Sequence, residues 1–479
     1  MKNRKIFYTI FAIAVVLTSC KKSFLGQIPS TSVPATTSIK TANDMTDAVN
    51  GLYVAGRNGS LFGQNVPILG DLLADNVFVS SSNYGQFITE SNYSFISNSG
   101  EASGIWTQGY YTILQANIII SSSLAANSTI NQLRGEAYTW RALTYLTLVN
   151  YFAGPATLNS NAPGVPVVTI PTYTTGPYLK PARNTVAQVY AQIISDLDSA
   201  FLLMPNTPIA ANYHNTSSNY IAKYAARAIE ARAYLYEGDY VDARIAALDV
   251  VQNGGYTLAG TPSAFAAYWA SADANSSKLE TILELNNSVT SNVSALAGLY
   301  YQSSNGEMLC TTPLYNLYTA TDLRRNLILN GIRKGNSEPA FVVNKYSNFL
   351  NPDPDEIKII RYAEVILTLA EAYAQTGDNA NALLYLNQLA KNRDPSFAGY
   401  TDTGAQLITD IINERRKELA FEGLRFFDLT RLNQVIYRPA EPFSYPTYTP
   451  VLTTDFRRLQ PIPISETQVN PNIVQNPGY

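Results

Sequence analysis

Ala231-Arg232-Ala233-Tyr234-Leu235-Tyr236-Glu237-Gly238-Asp239-Tyr240, followed by Ala243, is echoed by Ala370-Glu371-Ala372-Tyr373-Ala374-Gln375-Thr376-Gly377-Asp378-Asn379, followed by Ala382. Ala-Tyr, Gly-Asp and the later Ala fall in the same register. Small alanines let two helices approach, and glycine allows the left-handed turn between them. Upstream of the second copy, Tyr362, Val365, Ile366, Leu369, Ala370 and Tyr373 form one apolar stripe at helical spacing. Two copies of a helix–turn–helix unit therefore define a scaffold. They say how the chain is built and nothing about a ligand.

Outward from these tetratricopeptide-like pairs, further helices are expected over residues 44–53, 106–123, 132–152 and 185–203. The 132–152 segment carries Ala137, Trp140, Leu143, Leu146, Leu148 and Phe152 on more than one face, which predicts a buried helix. Residues 254–350 differ: they are rich in Ser, Asn and Tyr, with short β-like stretches at 281–285 and 341–343. A long irregular stretch within a compact protein is usually functional or disordered. Residues 437–479, rich in Pro and Tyr, are expected to wrap over the helices. The fold class is thus mainly α, an α–α superhelix of helix pairs with a loop-rich, minor-β portion. Its organisation is a single domain over 40–479, divided into a helical part (40–253), a loop-rich insertion (254–350) and a second helical part with its wrapping tail (351–479).

The first residues set a compartment. Lys2, Arg4 and Lys5 precede an apolar run at 6–17, too short for a bilayer, which needs ~20 apolar residues. Leu17-Thr18-Ser19-Cys20 then resembles a bacterial lipobox. Residues 1–19 read as a lipoprotein signal peptide, Cys20 as the lipidated first mature residue, and 20–39 as a tether rich in Ser, Thr and Pro. The membrane is reached through acyl chains, with no other segment apolar enough to cross it. With Cys20 lipidated, Cys310 has no partner, so the fold rests on its core. Charged residues make up only 14%, and a net charge of −3 without a long basic run argues against nucleic acid. The 33 Tyr against 18 Phe, with abundant Ser, Thr, Asn and Gln, suit neutral polar ligands such as sugars. Many secreted proteins that bind no sugar share that composition.

Several strings resemble the SusD/RagB family, and they span nearly the whole chain. They are Phe24-Leu25-Gly26-Gln27-Ile28-Pro29; Trp106, Tyr110 and Asn117; Arg134-Gly135-Glu136-Ala137 through Arg141-Ala142-Leu143; and Tyr151-Phe152-Ala153-Gly154-Pro155. The most specific are the run 414–431, containing Glu414-Arg415-Arg416-Lys417-Glu418 and Glu422-Gly423-Leu424-Arg425, and the ending Leu459-Gln460-Pro461-Ile462-Pro463 with Gln475-Asn476-Pro477-Gly478-Tyr479. The family often has Asp where Gly26 stands. The resemblance implies four tetratricopeptide-like pairs and a ligand site in the loop-rich half. It also implies an outer-membrane lipoprotein that passes oligosaccharides, or peptides in some members, to a SusC-like TonB-dependent transporter. Lys21 and Lys22 replace the acidic residues that often direct surface export, so a periplasm-facing orientation stays open beside the surface-facing one.

Catalysis finds little support. Glu414, Glu418 and Glu422, with Arg415, Arg425, Asp428 and Arg431, could be read as acid/base machinery. A partly buried ion network locking one helix against its neighbours is the favoured reading. His214 is the only histidine, and no nucleophile elbow or zinc ligand set accompanies it. A calcium site around Asp353 and Asp355 lacks EF-hand spacing. A two-carboxylate glycosidase is left open by composition, as is a helical-repeat adaptor without glycan binding. The expectation is a non-enzymatic binder without cofactor or metal. A sugar site wants exposed aromatics beside amides on loops held by a rigid frame. Two stretches fit: 83–93, offering Tyr84, Phe87 and Tyr93 with Asn83 and Gln86, and 286–305, offering Tyr300 and Tyr301 with Asn286, Asn287 and Gln302. In members of the family the site draws on the corresponding regions, an early loop and the middle insertion.

Overall fold

The computed structural model describes residues 39–172, 179–206, 217–274, 277–288, 296–335, 337–349, 354–445 and 449–479. The expected signal peptide, Cys20, His214 and Asp353 lie outside the described residues. Helix accounts for 51% and strand for 8%, as the repeat and the helical periodicities imply.

The longer helices, in order, are α1 (Ala42–Gly56), α2 (Asn65–Leu72), α3 (Gly100–Ile120), α4 (Ser128–Phe152), α5 (Val186–Leu203), α6 (Lys223–Glu237), α7 (Tyr240–Asn253), α8 (Pro262–Ala270), α9 (Tyr362–Gln375), α10 (Asn379–Arg393), α11 (Gly404–Glu418) and α12 (Arg425–Arg431). They pack in a chain of neighbours: α1 on α3, α3 on α4, α4 on α5, α5 on α6, then α7 on α9. The repeated residues explain themselves. Gly238 and Gly377 adopt φ of +91° and +85°. Asp239 and Asp378 then cap the second helix of each pair, accepting the backbone N–H of Asp242 and Asn381. The shared alanines Ala233, Ala243, Ala372 and Ala382 are fully buried where the helices touch. The helix pairs are thus hairpins, α6–α7 and α9–α10.

Helix α4 is buried nearly all round, as its apolar residues predicted. The family-like polar residues it carries are structural. Arg141 donates to both carboxylate oxygens of Asp196 on α5 (2.6 and 2.8 Å) and to Asn117 Oδ1 on α3 (2.7 Å). The C-terminal segment packs against the end of α4: Gln460 N–H donates to the Tyr151 carbonyl at 2.8 Å, and Asn476 Nδ2 to the Phe152 carbonyl at 2.9 Å.

The carboxylate triad needs one correction. Helix α11 ends at Glu418, so Glu422 lies beyond it, in a turn where Phe421 and Gly423 have positive φ. The network forms nonetheless. Arg361 donates to Glu418 Oε1 (2.8 Å) and Glu422 Oε1 (2.6 Å), Arg393 reaches Glu418 and Glu280, and Arg324 pairs with Glu414 at 2.6 Å. All are buried. Such ions stay inside only when paired and hydrogen-bonded, which is the structural reading of the triad.

Among the described residues, six short strands make three antiparallel ladders: β1 (Val77–Val79) with β3 (Met308–Cys310), β2 (Thr281–Leu285) with β6 (Ile357–Arg361), and β4 (Ile328–Ile332) with β5 (Pro339–Val343). The β1–β3 ladder joins the early loop to the insertion.

Candidate functional site

Val77, Phe78 and Val79 pair with Cys310, Leu309 and Met308. The chain leaving β1 and the chain entering β3 therefore emerge side by side. Ser80 N–H extends the ladder to the Glu307 carbonyl at 2.8 Å. A third segment closes the edge: Ser81 N–H donates to the Phe443 carbonyl and Tyr445 N–H to the Val79 carbonyl, each at 2.8 Å. The turn after β4 is the fourth wall. Arg333, buried between the rings of Phe78 and Phe443, donates to the Phe443 and Pro442 carbonyls at 2.5 and 2.8 Å.

On this frame stand exposed aromatics. Tyr84 is 69% exposed, Phe443 48%, Tyr445 44% and Tyr301 38%. The Lys334 ammonium lies 4.8 Å from the centre of the Tyr84 ring and donates to the Ser304 carbonyl. Lys334 N–H donates to Gln302 Oε1 at 2.9 Å, while Gln302 Nε2 reaches the Tyr300 and Gly306 carbonyls at 3.1 Å. Tyr301 stacks on Phe349, with ring centres 5.6 Å apart. The surface is polar, aromatic and anchored to buried structure.

The residues expected at the site divide. Tyr84 and Tyr301 belong to this surface. Phe87, Tyr93 and Tyr300 are buried, at 4%, 3% and 0% exposure, and offer no face to a ligand. The Tyr93 hydroxyl donates to the Leu73 carbonyl, and Tyr300 stacks on Tyr346 with its edge to Phe421. Asn286 and Asn287 are held elsewhere, at the end of β2. Asn287 N–H and Asn286 Nδ2 donate to Glu356 at 2.9 and 3.2 Å, and the Asn286 carbonyl accepts Arg57 at 2.9 Å. Asn83 spends its amide on the loop itself, donating to the Ser80 carbonyl and accepting Gly85 N–H. Phe443, Tyr445 and Lys334 were missed; they arrive from distant segments with no local signal. Glu307 was also missed, a single acid in a Ser/Asn-rich run.

Burial raises the Glu307 carboxyl above the usual carboxylate range, against the N–H groups of Tyr84 and Gln86 and the charge of Lys334. Asp355 has both oxygens taken by Asn348, at 2.7 and 2.9 Å. Among the described residues no cluster of three or more His, Cys, Asp or Glu could hold a metal, and no helix is long and apolar enough to cross a membrane.

The same architecture recurs in known proteins. A SusD superfamily protein from Bacteroides thetaiotaomicron superposes with a TM-score of 0.81 at 28% identity, covering 91% of this chain and all of that one. Another from Bacteroides vulgatus gives 0.80 at 27%, covering 92% and 100%. SusD-like protein P2 of Formosa agariphila is 25% identical across 98% of this chain and 99% of its own length. Residues 285–479 match the SusD family, and residues 23–235 match the family described as starch-binding and associating with the outer membrane. The two matches leave only residues 1–22 and 236–284 uncovered. The chain belongs to the SusD/RagB family.

Proposed function

We propose that this protein is a lipid-anchored surface protein that captures oligosaccharides or polysaccharides and delivers them to a TonB-dependent outer-membrane transporter, without catalysing any reaction on them. The observation that carries this reading is the exposed aromatic group Tyr84, Tyr301, Phe443 and Tyr445 on loops fixed by the β1–β3 ladder. Aromatic faces stack on the apolar faces of sugar rings, and neighbouring amides and carbonyls bond the hydroxyls. The description of the family matched by residues 23–235, starch-binding and associating with the outer membrane, supports both ligand class and location. The lipobox-like Leu17-Thr18-Ser19-Cys20 supports an acyl anchor at Cys20.

Affinity electrophoresis through gels containing soluble starch, xylan, fructan or mixed-linkage glucan tests the proposal. One polysaccharide should retard the parent chain. The double variant Y84A/Y301A, checked for folding by circular dichroism, should run unretarded. Equal retardation of parent and double variant would place the site elsewhere. Copurification of a TonB-dependent transporter with a tagged chain from outer membranes tests the partner.

A further inference from the structure

The loop that carries Tyr84 has little backbone bonding of its own. Ser81 N–H reaches Phe443, and beyond it side chains satisfy the N–H groups. Asn83 Oδ1 takes the N–H of Gly85, whose φ of +86° turns the chain. Ser80 Oγ takes the N–H of Ser82 at 3.2 Å, and Glu307 Oε1 accepts the N–H of Tyr84 at 2.8 Å, with the Gln86 N–H near enough to the same carboxylate to favour its charged form. Glu307 is fully buried, and its Oε2 has no hydrogen-bond partner. Its backbone is equally fixed from the other side. Preceding it, Gly306 donates its N–H to the Gly298 carbonyl at 3.1 Å and accepts Gln302 Nε2 at 3.1 Å, within the loop that presents Tyr301.

We propose that Glu307 is the positioning residue of this surface: one buried carboxylate folds the Tyr84 loop around itself and holds it in register with the Tyr301 loop. This rests on the binding reading above for its functional meaning. A carboxylate accepts only, and bonds from N–H to an ionised acceptor are the stronger kind. Removing it leaves the Tyr84 N–H without its acceptor, and a loop with few other bonds escapes by opening to water.

Hydrogen exchange read by mass spectrometry on peptides spanning residues 80–88, with hairpin peptides from 223–253 as control, measures this without any ligand. E307A should speed exchange in 80–88 by roughly tenfold, the equivalent of about one lost hydrogen bond to a charged acceptor, and leave the hairpin unchanged. E307Q keeps one acceptor oxygen and should fall between parent and E307A. In gels containing whichever of starch, xylan, fructan or mixed-linkage glucan retards the parent, E307A should lose retardation although Tyr84 and Tyr301 are intact. Unchanged exchange in 80–88, or faster exchange throughout the chain, would overturn the inference. Should E307A not fold, E307Q carries the test on the same terms. A parent that binds no polysaccharide, with E307A still loosening 80–88, would sink the glycan reading and leave the role of Glu307 standing.

Discussion

The guanidinium of Arg232 and the carboxylate of Glu364 meet in two parallel hydrogen bonds of 2.6 Å, Nε to Oε1 and Nη2 to Oε2, with both side chains buried. They join α6 to α9, one helix from each repeated hairpin. Arg232 also donates to the Ile359 carbonyl at 2.6 Å. Removing one partner leaves the other charge in the interior. R232A is expected to cost about 3–5 kcal/mol, while the double change R232M/E364L should cost far less. Urea unfolding of the two variants measures the difference; equal losses would show that packing, not charge, sets the cost.

Stability should fall at both ends of the pH range, for opposite reasons. Burial raises the Glu418 carboxyl, but Arg393, Arg361 and Arg324 outweigh it and hold it well below the usual range. Its contribution is therefore present above about pH 4.3, the unfolded value, and lost as pH falls through the lower folded value. Glu356 behaves the other way. Burial and the neighbouring charge of Glu284 push it up to about 8. Its contribution is full below about pH 4.3 and is lost as pH rises towards 8. E356Q, which never ionises, should gain stability relative to the parent between pH 5 and 8, by about 1.4 kcal/mol for each unit by which folding raises the Glu356 pKa. Denaturant midpoints across that range decide it; parallel curves for the two proteins would contradict the assignment.

Two glycines with similar backbones should respond differently to alanine. Gly377 has φ +85° and open space where a Cβ would go. G377A should cost only the left-handed strain, about 1–2 kcal/mol. Gly423 has φ +78°, and its Cβ would sit 2.4 Å from Pro67 Cα on α2. G423A must also push α2 away, so its loss should exceed that of G377A clearly. Thermal unfolding of both variants compares them directly.

Adjacent tyrosines should separate structure from binding. Tyr300 is fully buried against Tyr346 and Phe421, and Y300A should cost about 3–5 kcal/mol. Tyr301 is half exposed on Phe349, and Y301A should cost under about 1 kcal/mol while weakening polysaccharide retention. A large stability loss in Y301A would remove it from the list of ligand platforms.

That contrast also shows what the sequence could tell. Helical parts were legible because burial repeats along a helix: the stripe from Tyr362 to Tyr373 and the Gly-Asp turns gave both hairpins. Strand β2 was found at its observed bounds, Thr281–Leu285. In irregular chain no period says which of Tyr300 and Tyr301 faces inward, and three of the five aromatics expected at the site are core. Glu422 was placed on the helix of Glu418 because the spacing fits one, but the chain turns after Glu418 to bring Gly423 against α2. The β1–β3 ladder pairs segments some 230 residues apart, and Phe443 and Tyr445 join from farther still. Those contacts are set by tertiary structure alone, so no local pattern announces them.

The wrapping segment has a consequence for how the protein is made. The carbonyl of Phe152 waits for Asn476, a partner 324 residues later in the chain. Arg183, which donates to the same carbonyl at 3.0 Å, also waits for Asn476 Oδ1. Contacts of such sequence separation form late, so α4 emerges long before the strap that seals its end exists. The native state therefore cannot be completed until residues beyond 470 have arrived. Chains stopped short of them would keep an unsealed end on α4.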